Sequence, residues 1–572
     1  MFRKLAAMCT VLLVFALLAS CGAPSTSTTT SPSSSSSSVS PSPTPSSTTP
    51  PVKEKIVRFA QQWPCKIDPA VGLDNVASLV QNNLYETLLE IAADGSLKPE
   101  IAKSWDLDEA TNTYTFHLNT DIKFHNGDTV TASDIVFSLN RLLKVGEGWG
   151  YLFMGRVDTW TAKDPQTVSF TLKRPYAIFP YMLAYLFILN EKQVMANKKD
   201  GNYGDFGDYG RDWLTTHDAG SGPFTVTEWK PEQYLLAERF KDYRGTWDIN
   251  APDGFQILFT TEPVTVRTLM AQKQLEVTDS GEPLENLKSM DAMPGINIAN
   301  LRAGGMMYLF FNTSKPPLDD IHVRRALQYC FDYATCKEQI YPNGIVTNGP
   351  VAGALKGFVA SLPVFKQDLE KAKAEIALSN YADQLSAYPM DFVWVDAAPD
   401  EEKVALLLQS QAQELGFKIN ILKTPWLSVV DQVASAETSA HLTTIIFSSI
   451  SVPYPEAGAM IETAYYSAGR GTVNNIHWFD AQTQADLDKM IEDMMSTSNE
   501  QDRLAKYATV TQKIVDLAPD IWPIEMPQTY AYQDYLLWPE AQGSEWGKSV
   551  SMAPGHCLMN FKDVRFIPEK MP

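Results

Sequence analysis

The stretch that most limits what this chain can fold into is residues 22–51, GAPSTSTTTSPSSSSSSVSPSPTPSSTTPP, where almost every position is Ser, Thr or Pro. Such a segment has too little apolar surface to offset the entropy of ordering it. A packed fold has to be built after it. About thirty residues of flexible coil reach roughly 30 Å, and prolines stretch that further. Ahead of it, Arg3 and Lys4 precede an uncharged apolar run over residues 5–20. That run is shorter than the about 20 residues a membrane helix needs. A positive start, a short apolar core and small residues before a cut describe a secretory signal over residues 1–20.

The tetrad Leu18-Ala19-Ser20-Cys21 resembles the lipobox of bacterial lipoproteins. The resemblance implies that the Cys21 thiol takes a diacylglycerol group before cleavage. Residues 21–52 then form a lipidated cysteine and a linker, and the body sits at the outer face of the cell membrane. Two acyl chains hold a protein stably there, each buried methylene contributing about 0.8 kcal/mol.

Roughly 520 residues remain, enough for two to four domains. The net charge of −20 becomes −22 once Arg3 and Lys4 leave with the signal. So acidic a body lacks the basic face that nucleic acid requires, and reads as a solvated surface. Outside the cell the thiols of Cys65, Cys330, Cys336 and Cys557 can pair. Cys330 and Cys336 share a helical-looking segment, where six residues of rise separate them by about 9 Å, beyond disulfide reach. Cys65 with Cys557 is the pairing that would join the first and last strands of the body. The seven histidines are scattered and no Cys/His grouping has zinc spacing, so neither metal nor cofactor is expected. The chain has no nucleophile elbow, HExxH or Gly-rich phosphate loop, and it is not expected to be an enzyme.

Residues 55–60 (KIVRFA) read as a first strand. VASLVQNNLYETLLEI places Val76, Leu79, Val80, Leu84 and Leu88 at helical spacing, and Asp94-Gly95 marks a turn. TYTFHL (113–118) and VSFTL (168–172) alternate as strands do. Thr131 and Asp134 have capping-box spacing before Ile135, Leu139 and Leu142. DFVWV (391–395), an acid-led helix from Asp400 ending at Gly416, and FKINIL (417–422) make a β-α-β crossover, expected to be parallel. DRLAKYATVTQKIVDL predicts a late helix stopped by Pro519, and IWPIEMPQTYAY an extended run.

The segments LYETLLEIAADGSLKPEIAKSWDLDEATNTYTFHLNTDIKFHNGDTVTASDIVFSLNRLL (84–143), MYLFFNTSKPPLDDIHVRRALQYCFDYATCKEQIY (307–341) and residues 471–524 resemble, in order, the hallmarks of family 5 extracellular solute-binding proteins. These are the dipeptide, oligopeptide and nickel receptors of ABC importers. The resemblance implies an α/β fold of two lobes, a periplasmic-binding-protein-like clamp of type II, cluster C. Lobe one spans residues 53–305, with a subdomain inserted at about 99–215. Lobe two spans 306–524, and residues 525–572 return to lobe one. The crossings are expected near Phe310–Asn312 and Pro523–Met526. Further implications are a monomer that closes on its ligand and an ABC permease as partner.

The same resemblance carries the lobe-one contact segment onto Leu73, Asp74 and Asn75. It carries the lobe-two segment onto Phe447, Ser448, Ser449, Ile450 and Ser451, and an aromatic wall onto Trp426. Trp149 and Tyr151 are candidates to line the cleft from the inserted subdomain. Many peptide receptors place an aspartate four residues before a proline in the lobe-two loop, where it takes the peptide ammonium as a charge-assisted pair. Here Ser451 stands four before Pro455, with Glu456 or Asp74 as substitutes. Peptide is the leading cargo. An oligosaccharide, which suits neutral hydrogen bonds and aromatic platforms, is the alternative. A nickel chelate is the third reading.

Overall fold

The computed structural model describes residues 54–396, 398–447 and 452–572. Strand Ile56–Gln61 is buried at every position but Arg58, as expected of a strand covered on both faces. It runs parallel to Gly254–Phe259 with Phe59 beside Ile257. Antiparallel strands Tyr234–Arg239 and Phe224–Lys230 extend this sheet. Strand Gln528–Gln533, from late in the chain, pairs antiparallel with Ile296–Arg302. Val277 bridges to both Phe59 and Tyr532 and so joins the two groups. The end of the chain therefore returns to the sheet that its beginning built.

A second sheet has the order Ile419–Thr424, Met390–Val395, Leu442–Phe447, Met306–Phe311, Asp520–Ile521. Its first two strands are parallel, joined by helix Asp400–Glu414, whose first turn holds Asp400, Glu401 and Glu402. This is the predicted crossover. Val404, Ala405, Leu408 and Ala412 bury the face of that helix that meets the sheet, and Gly416, at φ +90°, follows its end. A third sheet, antiparallel throughout, orders Ala102–Asp108, Thr113–Leu118, Thr167–Leu172 and Val157–Asp164. Helix Ala132–Val145 belongs to the same inserted region. The Thr131 backbone N–H donates to Asp134 Oδ2 at 2.9 Å, as the capping-box spacing predicts.

Three expectations need correction. The helix read through residue 91 stops at Leu84. The Leu84 carbonyl accepts from the Gly222 N–H at 3.0 Å, which takes it out of a helical ladder, and Tyr85 turns extended. Leu89–Ile91 then pairs with Leu97–Pro99 as a hairpin around Gly95. The leucine spacing reflects burial on several sides, which helix periodicity cannot distinguish from a buried strand. The passage between sheets is also misplaced. Met306–Phe311 lies wholly in the second sheet, so the chain changes sheets between Arg302 and Met306 rather than at Phe310–Asn312. The return falls between Ile521 and Gln528, an interval that contains the expected Pro523–Met526. Finally, helix Ile321–Cys330 ends at Cys330, and Cys336 lies beyond the break at Phe331. All four described thiols are free, including Cys65 and Cys557. Burial pushes Cys330 and Cys336 up to about 12, which makes them poor nucleophiles.

Candidate functional site

Helix Asn75–Leu84 begins where Asp74 caps it, Oδ1 accepting from the Ala77 N–H at 2.8 Å. Of the expected lobe-one contacts, Leu73 is 39% exposed, Asp74 spends an oxygen on the cap, and Asn75 turns into a cavity. Ser78 and Asn82 follow it into the same space, because positions three and seven along from Asn75 share a helix face. The cavity is small, about 70 Å³, and every residue lining it falls within 53–305 or 525–572.

Trp149 and Tyr185 form an aromatic wall from the inserted region, their ring centroids 4.5 Å apart. Ala303 and Gln528 close another side. Each lies in, or at the edge of, one of the two connections between sheets. Residues 552–556 of the returning C-terminal segment close the rest. Gly304 shows how tight the seam is: at φ +82°, an added Cβ would lie 3.2 Å from Pro554 and 3.4 Å from Val452. Val452 is the residue after Ser448, Ser449, Ile450 and Ser451, four expected contacts that lie outside the described residues, as does Cys21.

Trp149 is only 2% exposed, yet its Nε1–H has no hydrogen-bond partner, and neither does the buried Ser78 Oγ. Tyr151, its ring 6.2 Å from Trp149, is 47% exposed. Its hydroxyl is nonetheless desolvated enough to be pushed up to about 12. An open recess with close walls satisfies both facts. His556, also in the cavity wall, sets Nδ1 against the Ile91 carbonyl (2.8 Å) and Nε2 against Glu540 (3.2 Å). Burial opposes its charge, but these partners outweigh it and raise its pKa.

Other expectations fare differently. Trp426, the first residue of helix Trp426–Gln432, is 44% exposed and does not line this cavity. The Phe447 side chain is core, its ring 4.4 Å from Tyr308, so only its backbone is left for a ligand. Glu456 is not a substitute for the missing aspartate. It is fully buried and taken by Arg503 and Tyr507. Ser78, Asn82, Tyr185 and His556 were not anticipated. The polar stripe Asn75–Ser78–Asn82, set among Val76, Leu79 and Val80, was a readable signal for the first two. His556 had none, since it arrives from far along the chain.

The inserted region also grips the helices that follow the second sheet. Arg156 pairs with Glu462 at 2.8 Å and the Tyr176 hydroxyl donates to the same carboxylate at 2.8 Å. The Ala177 N–H donates to the Met495 carbonyl at 3.0 Å.

A family model described as "Bacterial extracellular solute-binding proteins, family 5 Middle" matches residues 96–472. The probable D,D-dipeptide-binding periplasmic protein DdpA of Escherichia coli (strain K12) is 26% identical over 484 residues, covering 82% of this chain and 88% of that protein. The dipeptide-binding protein DppE of Bacillus subtilis (strain 168) is 23% identical over 490 residues, 80% and 84% of the two chains. Among solved structures, the ABC transporter substrate-binding protein CtaP from Listeria monocytogenes superposes with a TM-score of 0.74 at 20% identity, over 90% of this chain and 99% of that one. The periplasmic binding protein DppA from Helicobacter pylori, in complex with the peptide STSA, gives 0.70 at 18% identity, over 89% and 98%.

Proposed function

The chain belongs to the bacterial extracellular solute-binding proteins of family 5, and from that premise we propose that it captures peptides between its two lobes and delivers them to an ABC importer. The observation that carries this reading is the return of the late strand Gln528–Gln533 to Ile296–Arg302, which leaves two sheets joined by two connections; the cavity beside helix Asn75–Leu84 is a recess on the first-lobe side of that junction. The names of DdpA and DppE, and the STSA complex of the Helicobacter protein, support peptide as the cargo class. A solute touching both lobes binds the closed form better and shifts the population toward it. Moving the balance from mostly open to mostly closed takes about 5.5 kcal/mol of differential contact. The cargo is held and released unchanged, so the protein acts as a receptor and not as an enzyme.

The Cys21 anchor and the Ser/Thr/Pro linker complete this reading. A receptor that serves a membrane permease has to stay beside it and still turn to dock. Two acyl chains and a leash of roughly 30 Å supply both.

The second reading, an oligosaccharide, is favoured by one feature: neutral polar side chains face the Trp149–Tyr185 wall, an arrangement suited to sugar. Among the described residues no three His, Cys, Asp or Glu side chains are grouped to hold a metal ion; a nickel chelate, the cargo in the solved NikZ complex from Campylobacter jejuni, stays the third reading. Native mass spectrometry of the purified protein separates the readings. Extra masses that fragment as peptides are expected. Hexose ladders would replace peptide by sugar, and turnover of any bound solute would overthrow the receptor.

A further inference from the structure

The two connections between the sheets run side by side. The Met307 N–H donates to the Ile524 carbonyl at 3.0 Å, and the Met526 N–H to the Gly305 carbonyl at 2.8 Å. In the first connection Gly304 sits at φ +82°, and a Cβ added to Gly305 would lie 2.7 Å from the Met526 carbonyl oxygen. Adjacent glycines give this link more backbone freedom than any other pair of residues would. Across it lies an ion pair. Arg302 Nε donates to Glu525 Oε1 at 3.0 Å, and Nη2 to Oε2 at 2.7 Å.

The partners are anchored on opposite sides of the link. Arg302 ends strand Ile296–Arg302 and pairs with Ser551 in the first sheet. Its carbonyl accepts from the Met552 N–H at 2.8 Å. Glu525 is held by the second lobe. Its N–H donates to the Ile345 carbonyl at 2.8 Å, and its own carbonyl accepts from the Ile345 N–H at 3.0 Å. Glu525 Oε2 also accepts from the Gly353 N–H at 3.0 Å. A carboxylate 3% exposed and bonded by an arginine fork and a backbone N–H is fixed in place. Gly353 leaves room for this. A Cβ there would collide with Arg302 Nη2 and lie 3.3 Å from Glu525 Oε2. Its φ is not left-handed, so space and not backbone conformation calls for glycine.

We propose that Arg302 and Glu525 are positioning residues for lobe closure: the pair spans the Gly304–Gly305 link and limits the angles through which the lobes swing before any solute arrives. Atoms near a rotation axis move least, so a bidentate pair at the connections survives the swing, while contacts at the lips of a cleft must break. Holding the unliganded protein to few angles raises the fraction poised to close, and apparent affinity scales with that fraction. The inference rests on the two-lobed architecture and is independent of the cargo class.

The test needs no cargo. Nitroxides at Ile249→Cys in the first lobe and Leu378→Cys in the second, both exposed positions, report the interlobe distance by double electron–electron resonance. A Cys557→Ser background removes the described free thiol that is not fully buried. With the pair intact, one narrow distance distribution is expected. Arg302→Met combined with Glu525→Met removes both charges together, so neither is left buried without compensation. Gly353→Ala keeps both charges and displaces the guanidinium. Each is expected to widen the distribution about twofold, at urea concentrations where unfolding curves show the protein fully folded. A pair that only stabilised the fold would shift the urea midpoint and leave the width alone. Broadening in either variant supports the proposal. Widths no greater in both variants than with the pair intact overturn it and leave the peptide reading standing, since that reading answers to the bound masses.

Discussion

Glu456 takes both arms of Arg503, with Arg503 Nε on Oε2 at 2.8 Å and Nη2 on Oε1 at 2.7 Å. The Tyr507 hydroxyl adds a third bond to Oε2 at 2.6 Å. Both partners of the pair are nearly solvent-free. A bidentate pair of this kind ties the loop after the second sheet's Leu442–Phe447 strand to helix Glu500–Leu517. It is a structural clamp, although the sequence offered Glu456 as a partner for a peptide ammonium.

Removing one half of a buried pair leaves the other half charged without compensation, at a cost of about 3–5 kcal/mol. Glu456→Ala is therefore expected to lose that much stability in urea unfolding, with the folded fraction retaining its affinity for free-amine peptides. An affinity loss with little change in the urea midpoint would return Glu456 to the binding site.

Arg156, Tyr176 and Glu462 bridge the inserted region and helix Gly458–Tyr465. The contact is independent of cargo and partly shielded from solvent, so it favours the closed form whether or not the seam is filled. Arg156→Ala is expected to open the unliganded protein, seen as a larger radius of gyration by X-ray scattering, and to weaken cargo binding about 2- to 5-fold through a faster off-rate. An unchanged radius together with an unchanged off-rate would show that the bridge does not bear on closure.

Much of this architecture is written locally. The crossover from Met390 to Thr424 announces itself through an alternating strand, an acidic first turn and a terminal glycine, all set by near neighbours in sequence. The capping box at Thr131 and Asp134 is equally local. The run after Leu84 was misread because Gly222, more than a hundred residues away, takes the Leu84 carbonyl. Site residues divide along the same line. Asn75 and Trp149 were reached through a resemblance, and Ser78 and Asn82 were implicit in helix spacing. His556 reaches the seam only once the C-terminal segment has packed against Ile91. Glu456 and Phe447 look available in sequence because burial is a property of the assembled fold.

His125 and Asp218 form a buried ion pair, and His125 Nε2 also meets the Gly222 carbonyl at 3.0 Å. Burial opposes charge on both. Their mutual attraction outweighs it, raising His125 above 6.5 and lowering Asp218 below 3.8. The histidine's contribution to stability is complete below 6.5 and is lost as pH rises through its raised value. The aspartate's contribution is complete above 3.8 and is lost as pH falls through its lowered value. This pair's own contribution, read as the difference between wild type and Asp218→Asn in thermal melts, is expected to form a plateau between these limits. Asp218→Asn should flatten the alkaline fall and cost about 3–5 kcal/mol inside the plateau. An alkaline limb identical in wild type and variant would remove this pair as its source.

Glu401 gives a pH response of opposite sense. Its carboxylate is buried under strand Met390–Val395, where Oε2 accepts from the Val395 N–H at 2.9 Å. Burial lifts it from 4.5 to about 7, and this single hydrogen bond pulls the other way without prevailing. The folded state thus holds a proton that the unfolded chain releases near pH 4.5. Stability therefore falls as pH rises from 4.5 to about 7, by up to about 3 kcal/mol, and levels off above. Glutamine keeps an oxygen for the Val395 N–H and has no charge to desolvate. Glu401→Gln is expected to match wild type at pH 4 and to exceed it by about 2–3 kcal/mol at pH 8. Equal urea midpoints at pH 8 would mean that the folded protein hydrates this carboxylate as well as the unfolded chain does.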